Sequence, residues 1–462
     1  MPFERYHEAV DYLQQRLWHE LPIVPIERAL QHRVRHVLAH LGDPQTKFRV
    51  VHVGGSAGKG STTTMVAAIL QASKRRTGCY TSPHLQTFIE RVDIDGVLIS
   101  PDAFADNVLG LDPLVREMHL EVLDGVGYGR PALVEVAFAA GMKHFAKERC
   151  DAAAIEVGLG GRTDCTNVFD EKPVTVITNI EYEHTERLGS TYASIAREKS
   201  ALIRGGEIAV TGATHREAIN VIEQRCATTG ATLWRLGRDV RVRILATDAC
   251  GTQIDVKTPA GNFTDLRVPL AGAHQVNNAA LAVAAAAAFG ERTGSPISEQ
   301  QLRDGLARAR LSGRLEVMQR EPTVVLDSAH NPFEARYLAK TLDETWLTED
   351  VKLHLVCGIL ADKDQARMVR ALAPIAASVV VTQPPLVERA GDPEHMIALF
   401  RGELGDAHVS FEPSPAAALD RALASAAARD VICVTGSMFL VGALRERWVT
   451  EEQILTRRSS AL

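Results

Sequence analysis

The spacing of hydrophobic and polar positions changes period several times along the chain, and each change predicts an element. Apolar residues in 3–20 and 26–41 recur at helical spacing, which predicts two helices ahead of a first strand at Phe48–Val53. Beyond it, short β-branched runs alternate with helical stretches. These are TGCYT at 77–81, a helix around 133–147, DAAAIE at 151–156, VTVITN at 174–179, a helix over 190–203 and EIAV at 207–210. Such alternation predicts a mostly parallel sheet wrapped by helices. Over residues 232–270 the period drops to two, with a turn at Ala260-Gly261, which predicts an antiparallel insertion; an alanine-rich helix follows at 275–289.

From Thr323 a second α/β series begins. TVVLDS, VKLHLVCG, SVVVTQ, HVSF and DVICVTGS read as five strands, with helices from 333, from 364, near 393, over 415–428 and at the end. That is enough for a complete doubly wound unit. The boundary falls within 309–322, so two domains are expected, 1–310 and 311–462.

A chain of 462 residues is far longer than the roughly 100–150 residues at which single-domain sizes peak, which agrees with two cores. The net charge of −6 has both signs spread along the chain, leaving no basic stripe for nucleic acid. Small molecules are the expected partners. Seven cysteines without a CxxC pair argue against a disulfide framework and a structural zinc site, and so for a reducing, cytoplasmic setting. No stretch approaches the roughly 18 apolar residues of a membrane span, and the charged N-terminal segment lacks the apolar core of a signal peptide.

The strongest chemical signal is Val53-Gly54-Gly55-Ser56-Ala57-Gly58-Lys59-Gly60-Ser61-Thr62, between a predicted strand and a predicted helix. Such a loop aims backbone N–H groups and a helix N-terminus at phosphate, with Lys59 as a point charge and Ser61 as a hydroxyl for Mg²⁺. Gly60 between Lys59 and the hydroxyl residues departs from ordinary Walker A spacing and disfavours common kinases and GTPases. The expected fold is therefore α/β: a P-loop-type, doubly wound, mostly parallel sheet with an antiparallel insertion, plus a smaller C-terminal Rossmann-like domain. Glu156, ending a buried strand ahead of Gly158-Leu159-Gly160-Gly161, sits where open α/β sheets bind ligands and could complete a Mg²⁺ shell. His184, after the next strand, could bring a second metal ligand.

These segments, in this order, resemble the folylpolyglutamate synthase/dihydrofolate synthase family of the Mur ligase superfamily. The resemblance rests on GSAGKGST, TSPHL at 81–85 with Glu90-Arg91, EVGLGGRTDCTN, EHTERLG, AREKSALIR, GAHQVNNA at 272–279, Gly313-Arg314, LDSAHNP at 326–332, DKD at 362–364 and TGSMFLVG at 435–442. It implies an ATP-dependent ligase that activates a carboxylate as an acyl phosphate and joins it to an amine, here L-glutamate on a folate-type acceptor. By the same resemblance Gly58, Lys59, Gly60, Ser61 and Thr62 would hold ATP phosphates, and Ser61 with Glu156 a first Mg²⁺. His184 and Glu156 would serve a second. Asn278 would contact adenine, Arg314 and Asp327 the phosphates and ribose, and His330 would join them as a catalytic residue with Lys59 and Lys199. The lysine matching Lys199 is carbamylated in this family; periodicity alone reads it as a helix-face lysine. Pro83, His84, Arg91, Glu135 and Thr163-Asp164-Cys165 would face the acceptor. A monomer is expected.

The chain also departs from the family pattern. Ser56-Ala57 stands for Thr-Asn, Glu183-His184 for Asp-His, Asp327-Ser328-Ala329-His330 for Asp-Gly-Ala-His, and Ala132-Leu133-Val134-Glu135 for Thr-x-Phe-Glu. ATP-driven ligation is thus better marked than the acceptor. Two other readings compete: a Mur-like ligase with another carboxylate acceptor, and a silent ATP-binding protein. Only about fifty residues precede the phosphate loop, too few for the extra domain of cell-wall ligases, and a silent protein has no physical need for the intact metal and phosphate residues.

Overall fold

The computed structural model describes residues 3–16, 26–123, 129–248, 251–386 and 389–460. Its first sheet is built from β1 (Arg49–Gly54), β2 (Thr77–Tyr80), β3 (Val92–Ile94), β4 (Val97–Leu98), β5 (Ala152–Glu156), β6 (Val174–Ile177), β7 (Ile208–Thr211) and β8 (Thr232–Arg235). They lie in the order β4-β3-β2-β5-β1-β6-β7-β8. From β2 to β8 every pairing is parallel, and β3 and β4 are antiparallel additions at one edge. Strands β1, β2, β5, β6 and β7 are buried almost throughout, because helices cover both faces.

The insertion is the sheet β9 (Arg241–Asp248), β10 (Gly251–Thr258) and β11 (Gly261–Val268), in the order β11-β10-β9 and wholly antiparallel, with the predicted turn at Ala260-Gly261. It is shorter than predicted, because β8 pairs in parallel with β7 and belongs to the first sheet. The alanine-rich helix spans Ala273–Arg292, and small side chains let its stretch 278–290 pack buried against the phosphate-loop helix Lys59–Ala72.

The second sheet comprises β12 (Glu316–Arg320), β13 (Thr323–Leu326), β14 (Leu353–Cys357), β15 (Ser378–Val381), β16 (Val409–Phe411) and β17 (Val431–Thr435), ordered β12-β13-β17-β14-β15-β16. The five predicted strands are parallel to one another; β12, within the segment 309–322 read as the domain boundary, adds an antiparallel edge.

Other elements differ in extent. The first predicted helix is α-helical over Glu4–Asp11 and continues as a wider π turn over Tyr12–Arg16, and the rest of that prediction lies outside the described residues. The helix expected over 190–203 is confined to Tyr192–Ser200, and helices at Pro101–Leu109, Asp112–Leu123 and Glu451–Arg457 were not anticipated. Among the described residues no helix is long and apolar enough to cross a membrane, and the cysteines are buried and unpaired.

Candidate active site

Strand β1 ends at Gly54, and the helix Lys59–Ala72 starts five residues later, so the intervening loop must turn within a few bonds. Gly58 does this at φ 78°, and an added Cβ there would meet Asn278 Oδ1 at 2.3 Å. The loop is held from behind. Asn179 Oδ1 accepts from Ala57 N at 2.8 Å, Thr178 Oγ1 donates to Ala57 O at 2.7 Å, and Ser56 Oγ donates to Glu181 O and accepts from Glu181 N. Lys59 Nζ donates to Ser56 O at 3.1 Å, folding the ammonium over the loop.

The C-terminal ends of β5 and β6 supply the carboxylates. Glu156 is buried and accepts from Ser82 N at 2.9 Å; burial raises its pKa, against the opposing influence of Lys59. A Cβ on Gly60 would lie 3.5 Å from Glu156 Oε2, so the carboxylate sits against the first helical turn, beside Ser61. Hydroxyl and carboxylate oxygens there are hard donors suited to Mg²⁺. Among the described residues no group of three His, Cys, Asp or Glu side chains is placed to hold a metal ion by itself.

Glu183 reaches Lys199 instead of solvent. Lys199, 1% exposed, donates to Glu183 Oε1 at 2.5 Å and to Gly55 O at 2.8 Å, directly behind the loop. Burial lowers the Lys199 pKa, partly countered by Glu183; burial alone would raise the Glu183 carboxyl, but Lys199 and Lys59 hold it below the usual range. His184 adopts φ 45° at the start of the short helix Thr185–Leu188, with Nδ1 3.6 Å from Glu186 Oε1.

The second sheet contributes the facing wall. Asp327, directly after β13, accepts from Ala329 N and Leu315 N, both at 2.9 Å, and burial pushes its carboxyl up to about 6. His330 precedes the helix Pro332–Thr345, and its Nδ1 lies 3.1 Å from Glu334 Oε2, which raises the imidazole pKa. Glu334 also sits 3.7 Å from Arg314 Nη1. Together these walls enclose a cavity of about 750 Å³ lined by the loop 56–61, Pro83, Glu156, His184, Asn278, Arg314, Asp327 and His330.

Several anticipated residues lie elsewhere. Thr62 is buried in the core side of its helix and is not part of the cavity wall. Glu135 is fully buried, and its carboxylate is taken up by Arg33, with Nη2–Oε2 at 3.0 Å, and by Ala132 N at 2.7 Å. Asp164 is likewise committed, accepting from Leu159 N at 2.8 Å and Thr166 Oγ1 at 2.6 Å, so it braces the glycine loop. Cys165 is buried against Val134 O and Thr163 is half-buried; neither lines the cavity. His84 and Arg91 hold each other, Arg91 Nε donating to His84 Nδ1 at 3.0 Å, and burial keeps this imidazole neutral with a pKa of about 3.

Glu334 was not anticipated, although its place four residues after His330 on a helix start was a usable signal. Asn179 and His274 were likewise passed over within recognised segments. His274 lines the cavity 5.3 Å from the Tyr337 ring of the second unit.

Comparison with known proteins agrees with this architecture. Residues 132–286 match the model of the Mur ligase middle domain and residues 313–438 that of the Mur ligase, glutamate ligase domain. A probable bifunctional folylpolyglutamate synthase/dihydropteroate synthase of Haloferax volcanii is 38% identical; the match covers 96% of this chain but 50% of that protein. The dihydrofolate synthase/folylpolyglutamate synthase of Bacillus subtilis is 32% identical, over 90% of this chain and 94% of its own. The structure of Mycobacterium tuberculosis folylpolyglutamate synthase complexed with ADP superposes with a TM-score of 0.87 at 32% identity, covering 96% of this chain and 98% of that one. The chain belongs to the folylpolyglutamate synthase/dihydrofolate synthase family, the ATP-dependent ligases that add glutamate to folate acceptors.

Proposed function

We propose that the protein joins L-glutamate to dihydropteroate, to a tetrahydrofolate, or to both, through an acyl phosphate formed in the cavity between the two sheets. The observation that carries this reading is the convergence on one cavity of a phosphate-binding loop and Glu156 from one side with Arg314, Asp327 and His330 from the other. ATP phosphates would rest on the amides of Gly58–Ser61 under Lys59, with adenine toward Asn278. Ser61 and Glu156 would hold a Mg²⁺ and His184 would serve a second; the metal supplies charge neutralisation on the transferred phosphoryl group.

The chain's own groups do the rest. Lys59 and Arg314 spread positive charge over phosphate oxygens as the acceptor carboxylate attacks. The two walls exclude water, which would otherwise hydrolyse the mixed anhydride before the glutamate amine arrives. Lys199, buried and with its pKa lowered, is disposed toward the neutral amine that carbamylation requires. The units 1–310 and 311–462 would act as one cytoplasmic monomer.

The test is ADP release with dihydropteroate, tetrahydrofolate or a UDP-muramoyl acceptor, each with and without glutamate. Glutamate-dependent release with a pteridine acceptor is expected. Release with the muramoyl acceptor alone would overturn the folate assignment, and Lys59→Ala should abolish release in a folded protein.

A further inference from the structure

The two walls of the cavity are tied together at one edge by a buried arginine outside it. Arg445, on the helix Met438–Arg445 of the second unit, has a side chain that is 0% exposed. Its Nε and Nη2 grip both oxygens of Glu316 at 2.8 Å, Nη1 donates to Gln86 Oε1 at 2.6 Å, and Nη2 also reaches Ser460 O. Every partner leads towards the site. Glu316 Oε2 accepts from Gly313 N at 2.7 Å, and Gly313, at φ 66°, immediately precedes Arg314.

Gln86 leads to the other wall. Its backbone N–H, with those of Leu85 and Thr87, donates to Glu90 Oε2 at 2.7, 2.9 and 3.1 Å, and Ser460 Oγ donates to Glu90 Oε1 at 2.7 Å. The loop fastened in this way begins at Ser82, whose N–H donates to Glu156. Gln86 also donates to Val449 O at 2.8 Å, so it is gripped by the second unit from both ends of its amide. The approach is close. A Cβ on Gly442, in the same helix as Arg445, would meet Leu85 O at 2.1 Å.

We propose that Arg445 is a positioning residue, coupling Arg314 on one wall to Glu156 on the other through Glu316 and the Gln86 loop. None of Arg445, Glu316, Gln86, Glu90 and Ser460 lines the nucleotide cavity, yet together they fix how far apart its two charged walls stand. A planar guanidinium suits this, because its fixed fork can satisfy a bidentate carboxylate and an amide oxygen at once, whereas an ammonium cannot. The idea rests on the assignment of Arg314 and Glu156 to phosphoryl transfer.

Gln86→Ala is the test, since it cuts one arm without stranding a buried charge, and Arg445→Lys is the companion variant. Gln86→Ala is expected to melt within a few degrees of the parent while kcat for ADP release falls about tenfold or more and the KM for ATP changes less than threefold. Arg445→Lys should not restore the parental kcat, and the double variant should be no worse than Arg445→Lys alone. A folded Gln86→Ala with kcat within twofold of the parent would overturn the coupling. If that occurred while Lys59→Ala was inactive, the phosphoryl-transfer assignment would stand; an active Lys59→Ala would overturn that assignment instead.

Discussion

Lys199 shows how far a residue's environment can depart from its local pattern. Its helix reads as ordinary and partly solvated, yet the side chain is 1% exposed and wedged between Glu183 and the phosphate loop. No helical period could show this, because the burying groups come from other segments; family resemblance was the only signal. If the lysine is carbamylated, Lys199→Ala should be nearly inactive and regain turnover with added acetate, while Lys199→Arg should not recover, since a guanidinium keeps its charge. Full activity in Lys199→Arg would exclude the modification. Glu135 is the opposite case, a carboxylate expected to face the acceptor but spent on Arg33 inside the core. Breaking such a pair leaves a buried charge, so Arg33→Met should cost about 3–5 kcal/mol in urea unfolding, and Arg33→Met with Glu135→Leu markedly less.

Asp327 gives the pH dependence a sign. Its folded pKa of about 6 lies above the ordinary 3.8, so the fold takes up a proton before the unfolded chain does. Its stabilising contribution is therefore complete below about pH 4 and lost as pH rises through about 6. Activity should run the other way, because a protonated Asp327 loses its charge toward Arg314. Turnover is expected to fall as pH drops through about 6, with this limb absent in Asp327→Asn; an unchanged limb would assign it to another group.

At the scale of elements, the parts legible in the sequence were those whose pattern is strong and local. β1, β5, β6, β13, β14 and β17 are short runs of apolar residues, largely buried, and each fell within a residue or two of its prediction. β3 and β4 are three and two residues long around Asp95-Gly96, too short for any period to register. β12 is only half-buried along most of its length and lacks apolar alternation, so it was absorbed into the domain boundary. β8 was assigned to the insertion because its own pattern cannot name its neighbour. The loop–helix junction is a sharper case, since Gly58 carries both a positive φ and the close approach of Asn278. Gly58→Ala should raise the ATP KM strongly by displacing Asn278 and straining the loop, at about 1–3 kcal/mol for the backbone alone. Asn278→Ala should raise it too, by roughly tenfold or more from a lost polar contact. An unaffected KM in Asn278→Ala would place the base elsewhere.

For the whole molecule, the two sheets meet along a cavity that neither could form alone, and this was foreseeable only as a family property. Sequence patterns report which face of an element is apolar, not which unit stands opposite, so the Arg445 tie was beyond them. The arrangement makes a claim about binding. If nucleotide touches both walls, its stabilisation must depend on the second unit as well as on the phosphate loop. Saturation at a hundred times Kd is worth about 2.7 kcal/mol, enough for a measurable rise in the thermal midpoint. Arg314→Ala removes a cation that faces Asp327, Glu156 and Glu334, without touching the loop amides. It should reduce the rise produced by an ATP analogue with Mg²⁺ at fixed concentration, while Arg35→Ala, removing an exposed ion pair with Asp170, should leave it intact. An undiminished rise in Arg314→Ala would mean that the first unit binds nucleotide unaided and that the second serves only the acceptor and the amine.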